Sequence, residues 1–324
     1  MYHFCTYFDS NYLLRGMTLY RSLTKHCKNP FRFYVLCLDE DVFNVLMKLD
    51  DENIVPIALQ EVEQWDQQLL TAKGNRSRIE YYFTLSPVLP LYVLEHFDVD
   101  IVTYLDADLM FFSSPESIYD ELGDASVFVT EHRFSLELQD SIKFGRFNVQ
   151  CQAFRNDEQG RCCLHLWRKQ CIEWCYDRLE GEKFADQKYL NEWPKLYGEH
   201  LCISSHPGIG VAPWNVSSMM LEESDGTFTA RNKPLVFFHF HGFRETVSHN
   251  VFLKNLYPYH VHVTSDINAL YRCYAYAFRA ARAVLNDCSL ELSDAGAGHA
   301  LRHSHKQMRI IVASLRRGDV LFVR

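Results

Sequence analysis

Strand-length apolar runs alternate with helix-spaced segments through the first hundred residues, and this alternation confines the chain to a few architectures. Residues 2–8 are apolar and aromatic, and Leu13, Met17, Tyr20 and Leu23 then recur at helical spacing. Residues 31–38 read as a second strand, 42–49 as a helix and 53–59 as a third strand. A helix is predicted over 79–96, broken near Pro87 and Pro90, leading into a strand that opens at Ile101. Alternation of this kind predicts an α/β chain with a mostly parallel central sheet and helices on both faces. Ligands of such sheets bind at the carboxyl ends of the strands. Asp9 and Asp106 both fall at such ends, so they can converge although they are far apart in sequence.

The 324 residues, 48% of them apolar, suffice for one large domain with an appendage. Residues 125–130 and 148–154 add strands, 160–179 a helix, and 201–205 and 235–240 short strands that close the site region. Beyond about Asp266 the pattern changes: Tyr271, Tyr274, Ala275, Phe278 and Ala281 predict a helix, and 293–298 is a break of small residues. From Leu301 onward Arg302, Lys306, Arg309, Arg316, Arg317 and Arg324 stand against one acid, Asp319. We therefore expect a main domain over 1–262 and a helical, basic C-terminal extension over 263–324. That extension either rests on an anionic membrane surface or docks as a terminal helix or oligomer contact.

The net charge of −8 argues against nucleic-acid binding. No charged and apolar leader opens the sequence, and no apolar run approaches the roughly 20 residues of a membrane span. The expectation is a cytoplasmic protein, at most peripheral at the inner face of the membrane. The eleven cysteines form no paired CxxC units, and Cys162, Cys163, Cys171 and Cys175 fall in a helical stretch, so reduced core residues are expected. The glycosylation patterns at Asn75 and Asn215 are accordingly read as chance.

The run Tyr104-Leu105-Asp106-Ala107-Asp108 carries the chemistry. Side chains at i and i+2 leave one face of an extended chain. Two such carboxylates repel unless a cation or shared protons compensate. Hard oxygen ligands suit Mg2+ or Mn2+, ions that also carry substrate phosphates, which points to a metal-held nucleotide diphosphate. The competing readings are a loop capping a following helix, and an aspartyl phosphatase with Asp106 as nucleophile. His239 and His241 end an apolar strand on one face. They are either hydrogen-bonded strand-end histidines or metal ligands, with His239 the first choice and His241 the alternative. Asp186 and Gln187 either cap a short helix or accept hydrogen bonds from a sugar. Lys73, Arg76 and Arg78 offer phosphate donors or form a solvated basic turn. The glycine-bearing loop 206–210 with Trp214 is a candidate lining, and Glu131 and His132 are acceptor-side candidates.

In order and spacing these motifs resemble a GT-A glycosyltransferase, most closely glycosyltransferase family 8, over about the first 245 residues. The features that carry the resemblance are Thr6-Tyr7-Phe8-Asp9-Ser10-Asn11-Tyr12, the Asp106 run, Phe147-Asn148-Val149-Gln150, Asp186-Gln187, and His239 to Gly242. The resemblance implies a GT-A, Rossmann-like fold and a retaining enzyme that moves a hexose from a nucleotide diphosphate sugar, a UDP-sugar foremost. The implied acceptor is a glycan, a lipid-linked molecule or a protein. It implies Mn2+ or Mg2+ on Asp106, Asp108 and His239. It implies that Thr6, Tyr7, Asp9 and Asn11 cradle the nucleoside and that Asn148, Asp186 and Gln187 lie at the donor sugar, with Gln150 among the donor-binding residues. Gln187 then faces the reacting centre, and Gly242 and Arg244 close over the diphosphate. Two departures stand out: Ser86-Pro87 replaces an arginine in the helix before the Asp106 strand, which leaves Arg78 to substitute, and Val149-Gln150 replaces Ala-Gly.

Overall fold

The structure, a computed structural model, describes residues 1–246, 250–287 and 313–323. The chain begins β1 (Tyr2–Phe8), α1 (Leu13–His26), β2 (Phe31–Cys37), α2 (Glu40–Leu49) and β3 (Ile54–Ala58). Four short helices follow, α3 (Leu59–Trp65), α4 (Gln68–Asn75), α5 (Arg78–Leu85) and α6 (Val88–His96). Then come β4 (Ile101–Leu105), β5 (Leu109–Phe111), α7 (Glu116–Leu122), β6 (Val127–Glu131), β7 (Phe147–Arg155) and α8 (Glu158–Glu173). The remainder is α9 (Trp193–Tyr197), β8 (Leu201–Ile203), β9 (Leu221–Ser224), β10 (Thr227–Ala230), β11 (Lys233–Pro234), β12 (Phe237–His239), β13 (Arg244–Glu245), β14 (Val251–Leu253), α10 (Ser265–Asp287) and β15 (Val320–Phe322).

The central sheet has seven strands in the order β3-β2-β1-β4-β7-β6-β8. Only β7 opposes the rest: it runs antiparallel to β4 and β6, while the remaining neighbour pairs are parallel. Each face carries its own core. One joins Phe4 and Phe8 of β1 to α1, α2, α7 and α10; the other joins Cys5, Tyr34 and Tyr104 to α4, α5, α6 and α8. The expected mostly parallel, doubly covered sheet is therefore present. Strand order reverses between β1 and β4, and the carboxyl ends at that point carry Asp9 and Asp106.

Local chemistry sets the element ends. Asp39 caps α2 by accepting from the Val42 amide at 3.0 Å, and Ser77 and Glu80 form a reciprocal capping box on α5. The helix over 79–96 breaks into α5 and α6 at Ser86-Pro87 as expected, whereas Pro90 sits in the first turn of α6, where its missing amide proton costs nothing. The helix expected over 160–179 ends at Glu173. Arg76 donates to the carbonyls of Cys171 and Ile172 at 2.7 and 2.8 Å, satisfying the terminal acceptors, and Trp174 turns extended into the core.

Tyr271, Tyr274 and Phe278 of α10 enter the first core, and the Tyr274 ring stacks on Phe240 at 3.8 Å. β15 pairs with β14 and so lies beside the segment that follows His241. The guanidinium of Arg317 sits 3.5 Å from the Tyr257 ring. The small-residue break over 293–298, and Leu301, Arg302, Lys306, Arg309 and Arg324, lie outside the described residues. Among the described residues no helix is long and apolar enough to cross a membrane, and the ten described cysteines are free.

Candidate functional site

The two carboxylates of the Asp106 run do not lie in one extended strand. The Asp106 amide still bonds to Gln150 O at 2.9 Å, and the chain then turns, with the Leu109 amide bonding back to Asp106 O at 3.3 Å. β5 follows and pairs antiparallel with β12, Leu109 opposite His239. The Phe240 amide closes the pairing on Asp108 O at 2.9 Å. Same-face alternation thus gives way to a turn that separates the two acids. Neither carboxylate caps a helix, since a strand follows them.

That turn delivers Asp108 to the histidines. Asp108 Oδ1 lies 2.9 Å from His239 Nε2. One ligand atom each from Asp108, His239 and His241 lie within 4.8 Å of one another, close enough to share a cation. The first two are buried and His241 is exposed. Burial alone would raise the Asp108 carboxyl, but the His239 imidazolium beside it holds it well below the ordinary range. Burial alone would lower His239; the Asp108 carboxylate outweighs it and raises it. Asp106 stands apart from this triad. It accepts from Tyr104 Oη at 2.9 Å, and burial pushes its carboxyl up to about 6.

The end of β1 forms a second cluster. Asp9 accepts from the amide and side chain of Asn11 at 3.0 and 3.2 Å, and from Arg78 Nη2 at 2.6 Å. Arg78, whose side chain is 61% exposed, also donates to Tyr82 Oη at 2.5 Å. The other two basic candidates turn elsewhere: Lys73 pairs with Glu63 at 2.7 Å and Arg76 caps α8. Thr6 is buried with an unpartnered hydroxyl.

Deeper in the site, Tyr7 Oη lies 3.1 Å from Ser86 Oγ, and the Tyr7 and Tyr104 rings are 5.7 Å apart. Burial pushes the Asp186 carboxyl up to about 7, against a hydrogen bond from Ser86. Asp186 caps no helix; its backbone carbonyl accepts from Trp167 Nε1 at 2.8 Å. Gln187 is half-buried and donates to Phe144 O at 3.0 Å. Asn148 bridges His132 at 2.9 Å and the Gln150 amide at 2.8 Å. Gln150 is fully buried, its side-chain oxygen 2.9 Å from His239 Nδ1.

Loop 206–215 lines the far wall. Trp214 packs edge-on against His239 and His241, with ring centroids 5.1 and 5.9 Å away. Asn215 is buried and bonds His132 O and Gly210 O at 2.8 and 2.9 Å, so its glycosylation pattern is inert. Glu131 pairs with Arg146, and burial holds the neighbouring His132 down at about 4. Gly242 needs its left-handed φ of 74°, and a Cβ there would collide with the Asn255 side chain. Arg244 is exposed at the start of β13.

Tyr12 and Arg15 received no role from the sequence. Tyr12 is 42% exposed between the Asp9 cluster and α1, and the Arg15 guanidinium lies 4.4 Å from its ring centroid. Arg15 also donates to Phe243 O at 2.7 Å, tying α1 to the Gly242 segment. Their signal, an aromatic and a cation three apart at a helix start, is too common to stand out.

No known protein-family profile matches the chain. The uncharacterized YfnD of Bacillus subtilis (strain 168) is 33% identical over 247 residues, 75% of this chain and 78% of that protein. The uncharacterized YfnF of the same strain is 31% identical over 252 residues, 74% and 81%. Among solved structures, galactosyltransferase LgtC in complex with donor and acceptor sugar analogs matches with a TM-score of 0.52 at 18% identity, covering 95% of this chain and 99% of that one. An active-site mutant of LgtC matches at 0.50 and 19%, covering 75% and 88%. At this identity the likeness establishes the GT-A fold.

Proposed function

This chain belongs to the family of YfnD and YfnF, and from that premise we propose that it is a retaining, metal-dependent glycosyltransferase of the family 8 type. It would move a hexose from a nucleotide diphosphate sugar, with UDP-sugars the first donors to test, to a glycan, lipid-linked or protein acceptor. It would work in the cytoplasm or at the inner face of the membrane. The observation that carries this reading is the meeting of Asp108, His239 and His241 at the carboxyl edge of a parallel sheet of GT-A type.

The donor set fits a divalent ion: one hard carboxylate and two imidazoles whose ligand atoms lie within 4.8 Å of one another. Such an ion would offset charge on the departing diphosphate as a Lewis acid. Mn2+ suits this mixed set better than Mg2+, which prefers oxygen ligands. The chain's own residues supply the rest. Asp9 and Asn11 would hold the nucleoside, with the Tyr12 ring as a platform beside them. Arg78 and Arg244 can donate to phosphate oxygens. Asp186, whose carboxyl burial pushes up to about 7, can donate to or accept from a sugar hydroxyl. Gln187 retains a free amide oxygen after its bond to Phe144.

A thermal-shift screen of nucleotide diphosphates and their sugars, with and without Mn2+, tests the reading. A rise with one nucleotide sugar, greatest when Mn2+ is present, is expected. Absence of any shift would contradict it, and nucleotide binding without sugar transfer would reduce the protein to a binding module.

A further inference from the structure

We infer that Gln150 is a positioning residue for the cation site: its side-chain oxygen fixes the His239 ring so that Nε2 faces Asp108 and His241. The inference rests on the divalent-ion reading above and concerns how the site is built.

Three observations carry it. First, the two ring nitrogens of His239 are held from opposite sides, Nδ1 at 2.9 Å from Gln150 Oε1 and Nε2 at 2.9 Å from Asp108 Oδ1. An amide oxygen can only accept, so it holds a proton on Nδ1, and Nε2, facing Asp108 and His241, is the nitrogen that would ligate a cation once its own proton is displaced. The Gln150 amide is itself oriented, because its nitrogen points to Thr130 Oγ1 at 3.4 Å.

Second, the contact lies where the backbone departs from regular pairing. Phe128 of β6 opposes Ala153 of β7, but Thr130 opposes Asn148, so the register slips across the stretch that carries Gln150. Such irregularities re-aim a side chain. The Asn148 side chain holds the slipped stretch by accepting from the Gln150 amide at 2.8 Å.

Third, Gln150 is fully buried. A buried amide with so few partners is costly unless it meets a specific polar group, and His239 is that group. Outer partners of this kind typically set metal affinity within a factor of about 10–100.

The test is Mn2+ binding to the full-length, metal-free protein, read from the paramagnetic resonance signal of free Mn2+ and independent of turnover. Gln150→Met, similar in volume but without the acceptor, should weaken binding about 10–100-fold, whereas Gln150→Glu, which keeps an acceptor oxygen, should restore it. If Gln150→Met fails to give a cooperative melt, Gln150→Asn, too short to reach His239, serves in its place. Nitrogen NMR of the metal-free wild type should show a proton on His239 Nδ1. Wild-type affinity in the Met or Asn variant, with binding abolished by Asp108→Ala, would overturn the positioning role and leave the cation site standing. An unprotonated Nδ1 would overturn it as well. No Mn2+ binding by the wild type would remove both.

Discussion

His239 Nε2 and Asp108 Oδ1 lie 2.9 Å apart because β12 pairs with β5 in a single register, His239 opposite Leu109. A slip of one residue would turn His239 to the other face of its strand and bring Phe238 or Phe240 to Asp108. Burial then makes the pair electrostatically interdependent, each stabilising the other's charged form.

Arg78 bridges Asp9 and Tyr82 from a largely exposed position. The guanidinium is largely exposed but its partner Asp9 is buried and keeps its hydrogen bonds from Asn11, so losing Arg78 should cost on the order of 1 kcal/mol. Arg78→Ala should therefore stay folded and melt only a few degrees below wild type. The same variant should raise the donor KM about tenfold, or ~1.4 kcal/mol, if the guanidinium meets the diphosphate. Initial rates across donor concentrations check this, and an unchanged KM would remove Arg78 from the donor site.

Gly242 and Gly226 both have left-handed backbones, with φ of 74° and 79°, but only Gly242 faces an obstructing side chain. Alanine at either position should cost about 1–2 kcal/mol from the backbone alone. Gly242→Ala should lose more, because Asn255 must move, and it should also raise the donor KM. Denaturant unfolding of both variants checks the difference. Equal losses would show that the segment after His241 accommodates a Cβ freely.

The raised Asp186 carboxyl makes a pH prediction. Its folded value of about 7 lies above the unfolded value of roughly 3.9, so folding takes up a proton between the two. The contribution is fully present below about pH 4 and is lost as the pH rises through 7. Asp186→Asn stays neutral throughout. The stability of wild type relative to this variant should fall by about 1 kcal/mol or more from pH 5 to pH 8. Parallel pH profiles in urea unfolding would contradict it.

Much of the fold was legible because local spacing and global architecture agree. Leu13, Met17, Tyr20 and Leu23 are buried on one face of α1, and the apolar runs of β1 to β4 become the parallel half of the sheet. Strand ends placed Asp9, the Asp106 run and His239 as site candidates, but the contact of Asp9 with Arg78 and the meeting of Asp108 with both histidines are findings of the structure. What the sequence could not disclose depends on pairings between distant segments. Three-residue β5 is too short to announce itself, yet its pairing with β12, straight after the turn that parts Asp106 from Asp108, makes Asp108 the partner of His239. The early end of α8 depends on Arg76, contributed from the loop before α5. The turn of Gln150 toward His239 depends on the register slip between β6 and β7.

The account stands most directly on whether Asp108 and a divalent ion act together in donor cleavage. UDP release from UDP-sugars should be measured for metal-free wild type, for the same protein with Mn2+ restored, and for Asp108→Ala. Turnover should appear only with Mn2+, fall about a hundredfold or more in Asp108→Ala while that variant stays folded, and give a product of retained anomeric configuration. Equal turnover in chelator, or wild-type rates in Asp108→Ala, would contradict it.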